Sequence, residues 1–296
     1  MPKILFDSHS HISDEAYRMA RDNDPEGLSE EEYYERFIRS IEDSDIKYCM
    51  DIGVSVDVCR DCIESSQKYD FCYATVGLHP SEIEGVSDDM LYECLQAFND
   101  YDKVVAVGEI GLDYHYDDGP DKALQQEFFK KQLQWAIENN APVCIHTRDA
   151  DDDTMRILKE SGIFSKKRAE SFQKRADGSD DVRVLLHCFS GSLEMAKQYV
   201  ALGCDISLAG PVTFKNARKA VEVAEWIPVD RLLIETDSPY MSPEPKRGTR
   251  NTPVNVQYVA KKIAEIKGIR YEEAAEITFN NACRFYGIKQ SEISEE

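Results

Sequence analysis

The stretch ILFDSHSHI (Ile4–Ile12) joins a short apolar run to two histidines that stand two residues apart. The apolar run predicts a buried β-strand, and the histidines follow at its carboxyl end. No G-x-G-x-x-G turn follows this first strand, although such a turn is typical of dinucleotide-binding doubly wound sheets. The stretch therefore favours a parallel barrel, and the number of further strands tests that interpretation.

Seven more short apolar runs follow along the 296-residue chain. The eight predicted strands are Ile4–Phe6, Tyr48–Ile52, Cys72–Val76, Val104–Val107, Pro142–Ile145, Val182–Leu186, Cys204–Leu208 and Leu232–Ile234. Near-continuous apolar runs are typical of strands buried in a parallel sheet. Amphipathic stretches separate them, such as Lys122–Asn140 and the helix that Ser29 and Glu32 open with a capping box. The pattern predicts the α/β class and a (β/α)8 TIM barrel, with extra C-terminal helix over Pro253–Lys267 and Tyr271–Tyr286.

A barrel of this kind needs about 250 residues, so the sequence predicts a single domain spanning residues 1–296. One stretch is unusually polar, namely Ser165–Arg183 between the fifth and sixth strands. We interpret residues 165–183 as a surface insertion that forms a solvated loop. The alternative is a loop that contacts the substrate.

The composition limits the function classes. The chain has 35 Lys and Arg against 56 Asp and Glu, a net charge of -21, which argues against coating of long nucleic acids. A metal-bearing pocket can still accept an anion, because the ions supply local positive charge. No apolar run is long enough to span a bilayer or to form a secretory signal, so no membrane association is expected. Nine scattered cysteines indicate reduced thiols and a cytoplasmic protein, and no obligate protein partner is indicated.

Potential metal ligands follow most of the predicted strands. They are His9 and His11 after the first, His79 after the third, Glu109 after the fourth, His146 after the fifth, His187 after the sixth and Asp237 after the eighth. The carboxyl ends of barrel strands meet on one face, where active sites lie. Mixed imidazole and carboxylate ligands suit Zn²⁺, Mn²⁺ or Mg²⁺ with positions left open for water. Cys188 neighbours His187, so we expect its thiol to point away from this site.

The chain resembles the TatD-type metal-dependent deoxyribonuclease family of the amidohydrolase-like barrels. The resemblance rests on motifs that run in family order from one end of the chain to the other. They are DSHSHI (Asp7–Ile12), GLHP (Gly77–Pro80), GEIGLDY (Gly108–Tyr114), IHTRD (Ile145–Asp149), HCFSG (His187–Gly191), TFKNA (Thr213–Ala217), IETDSPY (Ile234–Tyr240), RGTRNTPVNV (Arg247–Val256) and FNNA (Phe279–Ala282).

The resemblance implies two divalent metal ions (Mg²⁺, Mn²⁺ or Zn²⁺) and a full set of ligands for them. These ligands are His9, His11 and Asp237 on the first ion, His146 and His187 on the second, and Glu109 shared between both. The implied reaction is hydrolysis of DNA phosphodiesters, as a 3′→5′ exonuclease on single strands. Single-stranded DNA is therefore the expected partner, and RNA stays open as a substrate.

Further roles are expected around these ligands. Asp237 would accept or steer the proton of the attacking water. Glu235 would support the metal ligands from behind, with a structural carboxylate as the alternative. His79 would contact phosphate or protonate the leaving oxygen, with a structural histidine in a tight turn as the alternative. Candidate phosphate contacts in the matching motifs, each with a local salt bridge as its alternative, are Arg148, Lys215, Arg250 and Asn251.

Two other functions stay open at the level of sequence. The same metal centre could hydrolyse a carbonyl substrate, such as an aminoacyl-tRNA ester or an amide, because barrels host many chemistries. A non-catalytic barrel with a structural metal is the second rival. Structural metal sites close their coordination with protein ligands, whereas six ligands divided over two ions leave positions open.

Overall fold

Eight parallel strands in chain order form the centre of the computed structural model, which describes residues 4–19 and 27–289. The strands are β1 (Leu5–Ser10), β2 (Ile46–Asp51), β3 (Cys72–Val76), β4 (Val104–Asp113), β5 (Val143–Arg148), β6 (Val184–Leu186), β7 (Asp205–Leu208) and β8 (Leu232–Ile234). A parallel bridge between Ser10 and Ser238 brings the two ends of the sheet together. The predicted (β/α)8 barrel is confirmed, and all eight predicted runs coincide with strands.

Helices surround the strands on the outside. They are α1 (Glu30–Glu42), α2 (Val56–Lys68), α3 (Asp88–Asp100), α4 (Lys122–Glu138), α5 (Asp151–Ser161), α6 (Lys166–Ala169), α7 (Leu193–Ala201), α8 (Arg218–Trp226), α9 (Val256–Lys267) and α10 (Tyr271–Tyr286). The capping box predicted from Ser29 and Glu32 opens α1. None of the helices in the described ranges is long and apolar enough to cross a membrane.

The barrel interior is filled at its amino-terminal end by side chains from the strands and from α10. Phe6, Met50 and Leu233 point inward and share one buried cluster with Phe285 and Tyr286 of α10. The Tyr286 hydroxyl donates a 2.7 Å hydrogen bond to the carbonyl oxygen of Ser8. The extra C-terminal helix therefore closes the end of the barrel opposite to the predicted ligands.

Most residues of the polar stretch 165–183 are exposed, but part of the stretch is anchored to the barrel. It contains the short helix α6, and the side chains of Arg168 and Arg175 are buried. Arg175 lies 2.8 Å from Asp205, the first residue of β7, and 3.2 Å from Asp181. These contacts anchor the stretch at the amino-terminal end of the barrel. Arg168 and Arg175 are therefore structural, and for the exposed residues of this stretch both the solvated surface insertion and the substrate-contacting loop stay predictions.

Candidate metal centre

Backbone hydrogen bonds at the carboxyl ends of the strands hold two of the predicted ligands, Glu109 and Asp237, in place. The amide of Glu109 in β4 donates to the carbonyl of Gly53, which follows β2, at 2.8 Å. The amide of Asp237 donates to the carbonyl of His9 at 2.9 Å, across the seam between β8 and β1. These backbone bonds therefore fix where the two side chains leave the backbone.

Glycine at position 111 allows β4 and β5 to approach closely at the site. Gly111 has φ of +150°, and a Cβ there would clash with the carbonyl oxygen of His146. Only glycine adopts this conformation at no steric cost. The close approach brings Glu109 and His146 onto the same side of the barrel mouth.

The carboxylate of Glu109 lies at the centre of the site and is almost fully buried. Its Oε1 atom lies 2.7 Å from His146 Nδ1 and 2.7 Å from His187 Nε2, and 3.8 Å from His79 Nε2. Its Oε2 atom lies 3.4 Å from His9 Nε2. The two oxygens of one carboxylate thus face two different sets of imidazoles.

Asp237 completes the second set. Its Oδ1 atom lies 3.5 Å from His11 Nε2 and 3.8 Å from His9 Nε2. The residue has φ of +53°, a left-handed conformation that is uncommon outside glycine and typical of functional sites. All six predicted ligands therefore converge on one small volume.

Two further carboxylates orient the histidines from behind. Asp113 Oδ2 lies 3.1 Å from His146 Nε2, which directs His146 Nδ1 toward Glu109. Glu235 Oε1 lies 3.5 Å from His187 Nδ1 and accepts a 2.7 Å hydrogen bond from the amide of Cys188. Such partners fix the tautomer and orientation of a metal-binding imidazole.

The charges of these groups are strongly coupled. Burial alone would raise the pKa of Glu109, but His187 and His146 lower it well below the ordinary value. Burial would lower the pKa of His187, but Glu109 raises it well above the ordinary value. For His11, burial is likewise outweighed by Asp237, and its pKa rises to about 9. In the absence of a cation, protons on His11, His146 and His187, whose pKa values are all raised, therefore offset the charge of the carboxylates.

His79 differs from the other histidines at the site. Burial is the main cause that lowers its pKa, to about 4, so His79 is neutral at pH 7. It lies within ligand distance of Glu109 and His146, in line with its place among the potential ligands that follow the strands, although the family resemblance assigns it to neither ion. His79 is therefore a possible ligand as well as a possible contact of the substrate.

The donor set fits divalent ions. His9 is fully buried, and neither of its ring nitrogens has a hydrogen-bond partner, which is costly without a ligand. Three groups of side chains have their donor atoms close enough to share an ion: His9 with His11 and Glu109, His79 with Glu109 and His146, and His9 with His187 and Glu235. Mixed nitrogen and oxygen donors of this kind suit Zn²⁺ or Mn²⁺.

The site opens into a pocket of about 360 Å³, which we call the mouth pocket. Six carboxylates but only one basic side chain other than histidine, Arg148, are among its lining residues. The lining residues are His11, Ser13, Asp14, Asp51, Val54, Val58, His79, Ser81, Glu82, Glu109, Asp113, Tyr116, His146, Arg148, His187, Asp237 and Tyr240. A pocket with this charge attracts cations and repels an anionic substrate until cations are bound.

The other three predicted phosphate contacts lie elsewhere. Lys215 is exposed and does not line the mouth pocket. Arg250 lines a separate cavity of about 150 Å³ and donates to the carbonyl of Met19 at 2.9 Å. Asn251 is fully buried, and its amide nitrogen donates to the carbonyls of Thr236 and Tyr240. Asn251 therefore supports the loop after β8 and does not reach the pocket.

Cys188 also departs from its sequence interpretation. It follows the end of β6 with φ of +41°, so the alternation of a strand does not apply to it. Burial, followed by the nearby Asp237 and Glu235, raises the pKa of its thiol. The cysteine thus lies beside the site, although no cysteine belongs to the metal-capable groups among the described residues.

Comparison with known proteins agrees with this geometry. Residues 6–287 match the family model described as TatD related DNase. The chain belongs to this family. It is 40% identical to the metal-dependent hydrolase YabD of Bacillus subtilis over 96% of this chain and 100% of that protein. It is 33% identical to the metal-dependent hydrolase YcfH of Escherichia coli K12, over 98% of each. The chain is thus a metal-dependent hydrolase of the TatD family.

A solved structure of the family has the same architecture. The crystal structure of YjjV, a TatD homologue from Escherichia coli K12, superposes with a TM-score of 0.79 at 27% identity, covering 98% of this chain and 100% of that one. The predicted family and the predicted barrel are therefore both confirmed.

Proposed function

We propose that this TatD-family hydrolase cleaves DNA phosphodiesters and removes mononucleotides from the 3′ end of single strands. The description of the family as DNases supports hydrolysis of DNA. The observation that carries the proposal is the position of Glu109, whose two carboxylate oxygens face separate groups of histidines. A bridging carboxylate between two metal sites is the arrangement used for in-line displacement at phosphorus.

Two divalent ions would be held by the residues of this centre. His9, His11 and Asp237 would hold the first, His146 and His187 would hold the second, and Glu109 would be shared. His79 is a further candidate for the second group, because it lies near Glu109 and His146. When bound, such ions lower the pKa of water and neutralise charge on phosphoryl oxygens.

The chain's own residues would move protons and hold the substrate. The neighbouring histidines outweigh burial and lower the pKa of Asp237, so its carboxylate is ionised at neutral pH and can accept a proton at Oδ1. His79 is neutral and can donate a hydrogen bond to the leaving oxygen. Glu235 keeps His187 oriented, and Arg148 is the cation of the mouth pocket that is available to a phosphate.

A direct test uses single-stranded DNA labelled at either end. Metal-stripped protein receives Mg²⁺, Mn²⁺ or Zn²⁺ separately, alongside the variant Glu109→Ala and the control Glu127→Ala, which changes an exposed carboxylate on α4. We expect metal-dependent release of mononucleotides from the 3′ end, lost in Glu109→Ala and retained in the control. A matched RNA strand tests the choice of sugar.

The rival carbonyl reaction predicts another product. Metal-loaded protein that leaves DNA and RNA intact but frees a carboxylate from an aminoacyl-tRNA or an amide would overturn the phosphodiesterase proposal. Cleavage that persists at full rate in Glu109→Ala would overturn the assignment of the centre.

A further inference from the structure

Two tyrosines at the rim of the mouth pocket are exposed to solvent. The exposed fraction is 60% for Tyr116 and 56% for Tyr240, although both residues line the pocket. Tyr116 follows β4 and Tyr240 follows β8, and these strands lie on opposite sides of an eight-stranded barrel. The two rings therefore stand on opposite sides of the metal centre.

The ring of Tyr116 is held beside the one arginine of the pocket. The guanidinium carbon of Arg148 lies 5.1 Å from the ring centroid, and its Nη1 donates to the Tyr116 hydroxyl at 3.3 Å. The ring of His115 contacts Tyr116 edge-on at 4.9 Å between centroids. Tyr116 and Arg148 thus place an aromatic surface and a cation next to each other.

Tyr240 is held on the opposite side by the loop that follows β8. Its hydroxyl donates to Asp14 Oδ2 at 3.3 Å, and its carbonyl accepts a 2.6 Å hydrogen bond from the buried amide of Asn251. Its ring lies 6.1 Å from the ring of His11 between centroids, in an edge orientation. Tyr240 therefore offers its ring next to a predicted metal ligand.

The negative charge of the protein makes a contribution from these rings important for binding a nucleic-acid substrate. A chain with a net charge of -21 and a pocket lined by six carboxylates has little capacity to attract a polyanion along its length. Proteins that bind single strands use aromatic side chains on which bases stack, without dependence on sequence. Stacking thus supplies an affinity that the electrostatics of this chain do not.

We propose that Tyr116 and Tyr240 stack on the two bases that flank the scissile phosphodiester, with Arg148 contacting an adjacent phosphate. This inference rests on the proposed function and names its substrate class more closely, as a strand with unpaired bases at its end. It assigns to both tyrosines the selection of nucleic acid over phosphodiesters that lack bases.

The experiment measures binding separately from hydrolysis. The full-length protein loaded with Mn²⁺ is titrated with a short oligonucleotide whose terminal linkages are phosphorothioates and whose two terminal bases are 2-aminopurine. A matched oligonucleotide with abasic sites at the two terminal positions carries no fluorophore, so its affinity is measured by competition against the 2-aminopurine strand. We expect fluorescence quenching on binding, and about tenfold weaker binding of the abasic strand. KM and kcat for ordinary oligonucleotides with and without terminal bases are measured in parallel.

Variants identify the rings responsible. Tyr116→Ala and Tyr240→Ala are each expected to raise Kd and KM about tenfold for the base-bearing strand, with little effect on the abasic strand. Tyr116→Phe keeps the ring and is expected to keep the affinity. Tyr92→Ala, which removes an exposed ring from α3 outside the pocket, is the control and is expected to change nothing.

The outcomes separate this inference from the function on which it rests. Hydrolysis of DNA with equal affinity for base-bearing and abasic strands, or with no effect of either alanine variant, overturns the inference and leaves the proposed function standing. Tyrosine-dependent quenching without any hydrolysis supports the inference and overturns the phosphodiesterase proposal. The absence of binding overturns the stacking role.

Discussion

The two ends of the barrel both bury charged side chains, but at one end each buried carboxylate is paired with the permanent positive charge of an arginine. At the amino-terminal end, Asp205 accepts hydrogen bonds from Arg175 and Arg284 at 2.8 to 2.9 Å, and Asp181 lies 2.7 Å from Arg284. We call these four residues the amino-end cluster. Both aspartates are fully buried, and each is paired with a guanidinium.

The carboxyl-terminal end gathers carboxylates around imidazoles. Glu109 is surrounded by histidines whose pKa values are shifted in opposite directions. His9 has no hydrogen-bond partner for either ring nitrogen. A buried ion pair that is closed on itself serves the fold, whereas buried ligands without partners mark a site that binds something else. The comparison therefore distinguishes charged residues that stabilise the fold, at the amino-terminal end, from charged residues that are arranged to bind a ligand, at the carboxyl-terminal end.

The largest expected effect comes from changing the centre of the carboxyl-terminal end. Glu109→Gln keeps the shape of the side chain but removes the charge that would be shared between two ions. We expect kcat to fall about 10⁴-fold, because groups that act as a unit lose most of the rate together. Metal content, measured by elemental analysis after dialysis, should fall as well.

The same variant tests the comparison through stability. The metal-free protein should unfold at nearly the same urea concentration as the unchanged metal-free protein, because the histidines can lose their protons when the carboxylate is gone. A large loss of stability in Glu109→Gln would mean that the carboxyl-terminal end is as structural as the amino-end cluster.

The opposite pattern is expected from Asp205→Ala in the amino-end cluster. This change leaves two guanidinium groups with one buried partner, Asp181, and should lower the free energy of unfolding by about 3–5 kcal/mol. Urea denaturation of the metal-free protein measures the loss. Asp180→Ala, which removes an exposed carboxylate that pairs with Lys174 in the same stretch, is the control and should cost well under 1 kcal/mol.

Metal affinity and kcat of the folded Asp205→Ala protein should be unchanged, since the cluster lies at the far end of the barrel. A drop in metal affinity would show that the two ends are coupled and would break the separation drawn above.

The fold and the convergence of the six candidate ligands could be predicted because both depend on a local pattern. Each strand is a short buried run, and the ligand follows within a few residues of it, as His146 does in β5. The position of Arg250 and Asn251 in a family motif did not indicate whether these residues contact the substrate. A residue of a motif can have a role in loop structure or in chemistry, and the sequence alone does not show which of these roles Asn251 has.

One member of the site, Asp113, was missed although the sequence contains a signal for it. Asp113 lies four residues after Glu109 in β4, and side chains at i and i+4 of a strand point to the same face. The sequence could therefore have placed Asp113 beside His146. His79 was expected at the site, but the sequence left its role open, because the direction of a side chain in the turn after β3 depends on tertiary packing.

A smaller effect is expected when an orienting carboxylate is changed. Asp113→Asn leaves the ligands in place but removes the acceptor that fixes the tautomer of His146. Metal affinity should fall about 10- to 100-fold, the usual range for such partners. Competition with a chromophoric chelator measures the affinity. The control is Asp153→Asn, whose carboxylate contacts Tyr114 and Arg156 but no predicted ligand. Equal affinities in both variants would contradict the orienting role.

An effect of similar size is expected from the dependence of metal binding on pH. The pKa of His11 is raised to about 9 in the metal-free protein, so its ring carries a proton at neutral pH that an ion must displace. Because this proton must leave before an ion binds, metal affinity should rise with pH, by about tenfold per pH unit between pH 7 and 9, and should level off above pH 9.

Calorimetry at pH 7.5 in two buffers of different ionisation enthalpy counts the protons that are released when the metal binds. His11→Gln should release one proton fewer, while His115→Asn at the exposed rim should release the same number as the unchanged protein. Equal proton counts in all three proteins would mean that His11 is not a metal ligand and that the other residues of the centre bind the ions without it.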